Sequence, residues 1–77
     1  MEDKIHRVVS DVMGVPIEEI NSESSPDNIP AWESLSHINL VLALEAEFEI
    51  KLSPEDVLEM LSVGLIQTIL NEKVSAA

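Results

Sequence analysis

Cysteine is absent from this 77-residue chain. Neither a disulfide framework nor a thiolate zinc site can therefore hold the domain together, and any sulfur chemistry it takes part in must use sulfur brought in from outside. Positive charge is almost as scarce. Four Lys and Arg stand against fifteen Asp and Glu, a formal net charge of −11, and no Lys or Arg occurs between Arg7 and Lys51. Asp11, Glu18, Glu19, Glu23, Asp27, Glu33, Glu45, Glu47 and Glu49 fall in that interval. Such a surface repels nucleic acid and anionic lipid and suits a basic patch on another protein, because opposite potentials speed encounter and orient docking. The same charge also serves plain solubility.

Long apolar runs are missing too. None approaches the roughly 20 residues of a membrane span, and Met1, Glu2, Asp3 and Lys4 show neither a basic leader nor the apolar core of a signal peptide. No membrane insertion and a cytoplasmic location are expected. No internal repeat is visible, and the length suits one domain over 1–77 with a single small core, too short for a catalytic cleft between domains. A monomer is expected.

What is present has helical period. Ile5, Val8, Val9, Val12 and Met13 recur at spacings of three and four, which predicts an amphipathic helix over 2–13 ended by Gly14 and Pro16. From Gly14 to Glu33 the composition turns to Asn, Ser, Asp, Glu and Pro, a loop of about 20 residues; connections that long in a compact domain tend to be functional or disordered. Ile17, Ile20 and Ile29 are expected to pin it to the core, and Pro16 to Glu19 to form a short helical turn. Trp32 is expected to be a further pin, a partner-facing aromatic being its alternative. The run from Ser34 to Phe48 carries apolar residues around most of its wheel, which predicts a central helix contacted on several sides. Ser53, Pro54, Glu55 and Asp56 spell the start of a short third helix. Ser62 to Gly64 reads as an interruption. Leu65, Ile66, Ile69 and Leu70 form the last helix, ending near Lys73 with a loose tail over Val74, Ser75, Ala76 and Ala77.

Catalytic chemistry finds little support. Ser34 and His37 share a helix face, the beginning of a nucleophile and base pair, but no glycine-flanked nucleophile elbow and no evident acid to orient the histidine accompany them. His37 is expected at the solvent edge of the second helix and His6 on the polar face of the first. The two histidines make no metal pattern, and Glu45, Glu47 and Glu49 alternate by two and so do not converge on one helix face. The expectation is not an enzyme and no resident metal. Attachment is what remains. A serine at a helix start is ordinarily an N-cap and nothing more. At Ser34 a long loop before it, acidic surroundings and an apolar helix behind it point further, and a phosphodiester on its hydroxyl would sit at the favourable end of the helix dipole.

Glu33, Ser34 and Leu35, followed by Ile38, Leu40, Val41, Ala43, Leu44, Glu45, Glu47, Phe48 and Ile50, strongly resemble the acyl carrier protein family, and the likeness extends over essentially the whole chain. The family's attachment pattern is Asp-Ser-Leu; here it is Glu-Ser-Leu. The resemblance implies an all-α, four-helix acyl-carrier-like bundle with a long first loop and a short third helix. It implies that a phosphopantetheinyl transferase attaches 4'-phosphopantetheine to Ser34, whose terminal thiol holds acyl groups as thioesters. Acyl-transferring or acyl-activating enzymes with basic patches are the implied later partners, met at Glu33, Leu35, Ile38, Glu45, Glu47, Glu55 and Asp56. Leu35, Ile38, Leu42 and Ile66 are the expected lining of an acyl pocket, residues that ordinary core packing also explains.

Departures from the family pattern narrow the expectation. Fatty-acid carriers usually bear acids two and five residues after the serine, where this chain has Ser36 and Asn39; Trp32 and His37 are also unusual for them. Peptidyl carriers usually have a neutral residue or histidine where Glu33 stands. The implied molecule is a specialised, free-standing carrier for a lipid, polyketide, aminoacyl or cell-envelope pathway. An unmodified acidic adaptor that binds a basic protein, with no chemistry at Ser34, is the alternative.

Overall fold

The computed structural model describes residues 2–76, with backbone alone for Glu2, Ser75 and Ala76. Four α-helices make the fold: α1 Glu2–Met13, α2 Ser34–Phe48, α3 Pro54–Glu59 and α4 Val63–Ala76, with a single 3-10 turn at Ile17–Glu19. No strand occurs among the described residues. The all-α bundle with a long first loop and a short third helix is thus what the sequence predicts.

Each element has a local cause. On α1, Ile5, Val9 and Met13 are buried, one stripe at helical spacing. Gly14 ends the helix at φ +69, where its amide and that of Val15 both return to the Ser10 carbonyl. Ser53 and Asp56 form a reciprocal capping box at the start of α3: the Ser53 hydroxyl accepts from the Asp56 amide, and the Asp56 carboxylate accepts from the Ser53 amide. With Pro54 in the first turn, this starts a helix of only six residues.

The long loop is folded, not slack. Ile20, Ile29 and Trp32 are buried in the same core as Leu40, Leu44, Met60, Val63, Ile66 and Leu70. Ile17 is an exception: it is 39 % exposed, because the 3-10 turn faces it away from the core. The buried Ser24 hydroxyl accepts from the Asn21 amide, and Asn28 bridges Ser25 and Glu23. Two loop carbonyls, of Ser24 and Ser22, then accept the amides of Val63 and Gly64 at 2.9 Å each.

These bonds correct the reading of Ser62 to Gly64. The stretch begins α4 instead of interrupting it, since the loop carbonyls and the Ser62 hydroxyl take up amides that a helix start leaves without partners. Gly64 suits this close approach: a Cβ there would lie 3.0 Å from the Ser22 carbonyl oxygen, so the backbone of the loop would have to give way. At the other end α4 continues through Val74 and Ser75 to Ala76, so the expected loose tail is helical over those residues; Ala77 lies outside the described residues.

The second helix also differs from expectation. It is buried on one side only, through Leu40, Val41 and Leu44, while Leu35, Ile38 and Leu42 are 66 %, 54 % and 58 % exposed. The reason is material: three other helices, one of six residues, are too little chain to surround a 15-residue helix.

Candidate functional site

Ser34 stands where the long loop enters α2. Buried Ile29 and Trp32 hold the approach, with the Trp32 amide donating to the Ile29 carbonyl at 3.0 Å, and the first helical bond runs from the His37 amide to the Glu33 carbonyl at 2.8 Å. Glu33, in extended backbone, is therefore the N-cap, although its side chain makes no capping bond. Ser34 is the first helical residue. Its side chain is exposed, and its hydroxyl enters no hydrogen bond among the described residues. The ordinary use of a serine at this place, capping the helix, is thus not made here. The first-turn amides of α2 have no intrahelical acceptors, which puts partial positive charge behind the hydroxyl.

Beside Ser34 a groove of about 490 Å³ runs between α2 and α3. Glu33, Ser34, Ile38, Leu58 and Leu61 line its outer part, and Trp32, His37, Val57 and Met60 are its deeper residues. Met60 is fully buried and Trp32 is 3 % exposed, whereas Leu58 and Leu61 are 75 % and 62 % exposed.

His37 ties this floor together, and sequence reading missed it. The Trp32 indole N–H donates to His37 Nδ1 at 2.9 Å; since an indole nitrogen only donates, Nδ1 must accept. Nε2 then carries the hydrogen and donates to the Val57 carbonyl, also at 2.9 Å. The two rings stack with centroids 6.2 Å apart and planes 21° from parallel. That carbonyl sits in the last turn of α3, where the amide of Met60 approaches it only at 3.4 Å, so the imidazole completes a helix end that is otherwise poorly satisfied. His37 is half-buried and structural instead of lying free at the solvent edge. Both nitrogens are committed away from Ser34, which leaves no lone pair on His37 to serve the serine as a base.

The other expected site residues are scattered. Ile38 borders the groove, but Leu35 and Leu42 face solvent on α2 and Ile66 lies in the core, so these four do not line one pocket. The reason is the helix wheel: 35, 38 and 42 form a stripe opposed to the buried 40, 41 and 44. Among the acids, Glu33, Glu47 and Glu55 are exposed. Glu45 instead accepts the Leu52 amide at 2.8 Å and so holds the turn after α2, and Glu47 lies 3.9 Å from Lys4. Asp56 is the most engaged. It accepts from Lys73 Nζ at 2.9 Å as well as from Ser53, and the Lys73 hydrogen bond, followed by that of the Ser53 amide, holds its carboxyl below the usual carboxylate range. His6 also meets a partner: Gln67 of α4 lies 3.3 Å from its Nε2.

Among the described residues no three His, Asp or Glu gather to hold a metal ion, and no helix is long and apolar enough to cross a membrane. A family model described as a phosphopantetheine attachment site matches residues 3–68. The chain is 32 % identical over 74 residues to the acyl carrier protein of Buchnera aphidicola subsp. Schizaphis graminum, an alignment that covers 95 % of this chain and 92 % of that protein. Among solved structures, the solution NMR structure of a holo acyl carrier protein from Geobacter metallireducens superposes with a TM-score of 0.87 at 27 % identity, over 97 % of this chain and 86 % of that one.

Proposed function

From the premise that this chain belongs to the acyl carrier protein family, whose members carry covalent 4'-phosphopantetheine, we propose that Ser34 is its attachment residue and that the cargo serves a specialised lipid, polyketide, aminoacyl or cell-envelope pathway. One observation carries the reading: an exposed hydroxyl at the first position of a 15-residue helix, with no internal partner, on the rim of an apolar groove. The residues fit the group. The oxygen is accessible to a transferase, the free amides of the first turn favour a phosphate on it, and no neighbouring side chain competes for it. When attached, 4'-phosphopantetheine supplies a flexible arm with a terminal thiol for acyl groups, which a chain without cysteine lacks.

The chain's own residues do the rest. The Ser34 oxygen forms the phosphodiester and gives up its proton, with the nucleotide part of coenzyme A as the leaving group. Ile29 and Trp32 fix the loop so that Ser34 is always presented at the same place. Leu35, Ile38 and Leu42 offer an apolar stripe, and Glu33, Glu47 and Glu55 offer exposed carboxylates, to enzymes with basic rims. Glu45 and Asp56 are engaged within the chain and belong to the carrier's own stability, whereas Glu47, exposed and only 3.9 Å from Lys4, stays available to a partner. The specialised pathway rests on Ser36 and Asn39, which leave the first turns of α2 without acids. One core built by α1, α2, α4 and the long loop, with Val57 of α3 packed against it, supports treating the chain as one carrier domain.

The test is to incubate the unmodified protein with coenzyme A, Mg²⁺ and a broad-specificity phosphopantetheinyl transferase and weigh it intact. One phosphopantetheine is expected on wild type and none on Ser34→Ala. Failure with several transferases, or equal modification of the variant, overturns the assignment and favours the unmodified adaptor.

A further inference from the structure

We propose that His37 is a specificity-determining strap: by bonding Trp32 on one side and the α3 carbonyl of Val57 on the other, it closes the groove beside Ser34 from the core and suits the carrier to short acyl cargo. The inference rests on Ser34 as the attachment residue and goes beyond it, because it says where the cargo lies and how large it is.

The phosphopantetheine arm leaves Ser34 with the acyl chain on its terminal thiol, so the arm must fold back along the carrier to bring that chain to the groove. The groove's outer wall is Ile38 of α2 and its far side is Leu58 and Leu61, all more than half exposed. A few methylenes resting there cover apolar surface that is otherwise wet. To go deeper the chain must pass between α2 and α3 toward Leu40, Leu44 and Ile66, each fully buried. Across that route run two hydrogen bonds of 2.9 Å in series, indole to imidazole to carbonyl, joining the loop, α2 and α3. Parting α3 from α2 breaks the second bond and leaves the Val57 carbonyl with only the distant Met60 amide, while displacing Trp32 breaks the first and strands a buried indole N–H. A long apolar tail cannot replace either bond. Burial of a tail in the core therefore carries a polar penalty that a short chain in the outer groove never meets.

Trp32 is the only tryptophan and reports on the strap directly. The test loads the full-length protein with acetyl-, hexanoyl- or dodecanoyl-phosphopantetheine from the corresponding acyl-coenzyme A by a promiscuous transferase. Intact mass establishes loading first. If no adduct forms, the attachment reading fails, an outcome distinct from failure of the strap. On loaded protein the Trp32 indole N–H resonance and the thermal midpoint are then measured.

For wild type we expect the indole resonance in place with all three cargoes and the midpoint no higher for dodecanoyl than for hexanoyl, because only the outer groove is open to either chain. In His37→Leu, which removes both bonds and extends the apolar floor, dodecanoyl should raise the midpoint over hexanoyl by roughly 4–8 °C or more and should shift the indole resonance. Trp32→Phe, which removes the first bond and leaves the His37–Val57 bond in place, should show a smaller rise of the same sign in its midpoint and serves if His37→Leu does not fold. A dodecanoyl chain that stabilises wild type beyond hexanoyl and moves its indole resonance overturns the proposal. So does a folded strap variant with no dependence on chain length.

Discussion

Truncating His37 to alanine tests the deeper half of the site without touching Ser34. Two hydrogen bonds are lost, each contributing about 1 kcal/mol net. The greater cost is what remains. The Trp32 indole N–H, in a residue 3 % exposed, loses its only acceptor among the described residues, and an unpaired buried donor costs about 1–3 kcal/mol. Part of each penalty is relieved where water reaches the half-buried imidazole site, so the expected loss is about 2–4 kcal/mol. For a domain of this length, with a total stability of roughly 4–12 kcal/mol, that is a large fraction. Urea unfolding followed in parallel by helical circular dichroism and by Trp32 fluorescence measures it, and a thermal scan should show a fall in Tm of roughly 8–32 °C. His37→Gln, which keeps a donor and an acceptor, should recover more than half of the loss. A cycle with Trp32→Phe should give a coupling of about 1 kcal/mol, as expected for directly bonded side chains. If His37→Ala costs less than about 0.5 kcal/mol, the scatter of ordinary surface changes, the strap is not a stabilising element and the reasoning is wrong.

Other perturbations have definite signs. Ser34→Ala should leave stability within about 0.5 kcal/mol, because the hydroxyl is exposed and unbonded; loss of a true N-cap would cost about 1 kcal/mol, and a denaturation curve distinguishes the two. Gly64→Ala should destabilise by about 1–2 kcal/mol in the same assay even though alanine favours helix, because its Cβ would press on a backbone oxygen that accepts the Gly64 amide itself. Asp56 has a folded pKa below its ordinary value of about 3.9, so its contribution is present above that value and is lost as pH falls through the lower folded value. Asp56→Asn should therefore lower the midpoint at neutral pH, with the gap to wild type closing below about pH 4, and Lys73→Met should narrow the acid-side loss. A gap that stays constant through the acid range would refute the linkage.

Periodicity and end signals made much of this fold readable in the sequence. The stripe of Ile5, Val9 and Met13, the Gly14 stop and the Ser53-Pro54 start act within a few residues of chain, and the helices they predict are those present. Ser62 to Gly64 misled because its helix start is completed by Ser22 and Ser24, some forty residues earlier, through carbonyls that have no sequence signature. The apolar wheel of α2 misled for another reason. Leu35, Ile38 and Leu42 look like core by composition, yet the chain has no further helix to lay over them. At the site, Ser34 stood out locally, but the N-cap turned out to be Glu33, since one residue of register decides whether a hydroxyl bonds its own helix or faces solvent. His37 was unreadable: its partners lie five residues back across a helix start and twenty residues ahead on another helix. Glu45 and Asp56 carry no sequence sign of the Leu52 amide and the Lys73 ammonium for the same reason, those partners being brought to them by folding.

If the free hydroxyl at the mouth of the α2–α3 groove is a point of attachment, fragmentation mass spectrometry of the intact protein, isolated from the cells that make it, will find a single phosphopantetheine localised to Ser34. An unmodified Ser34, or the group on any other residue, would contradict this.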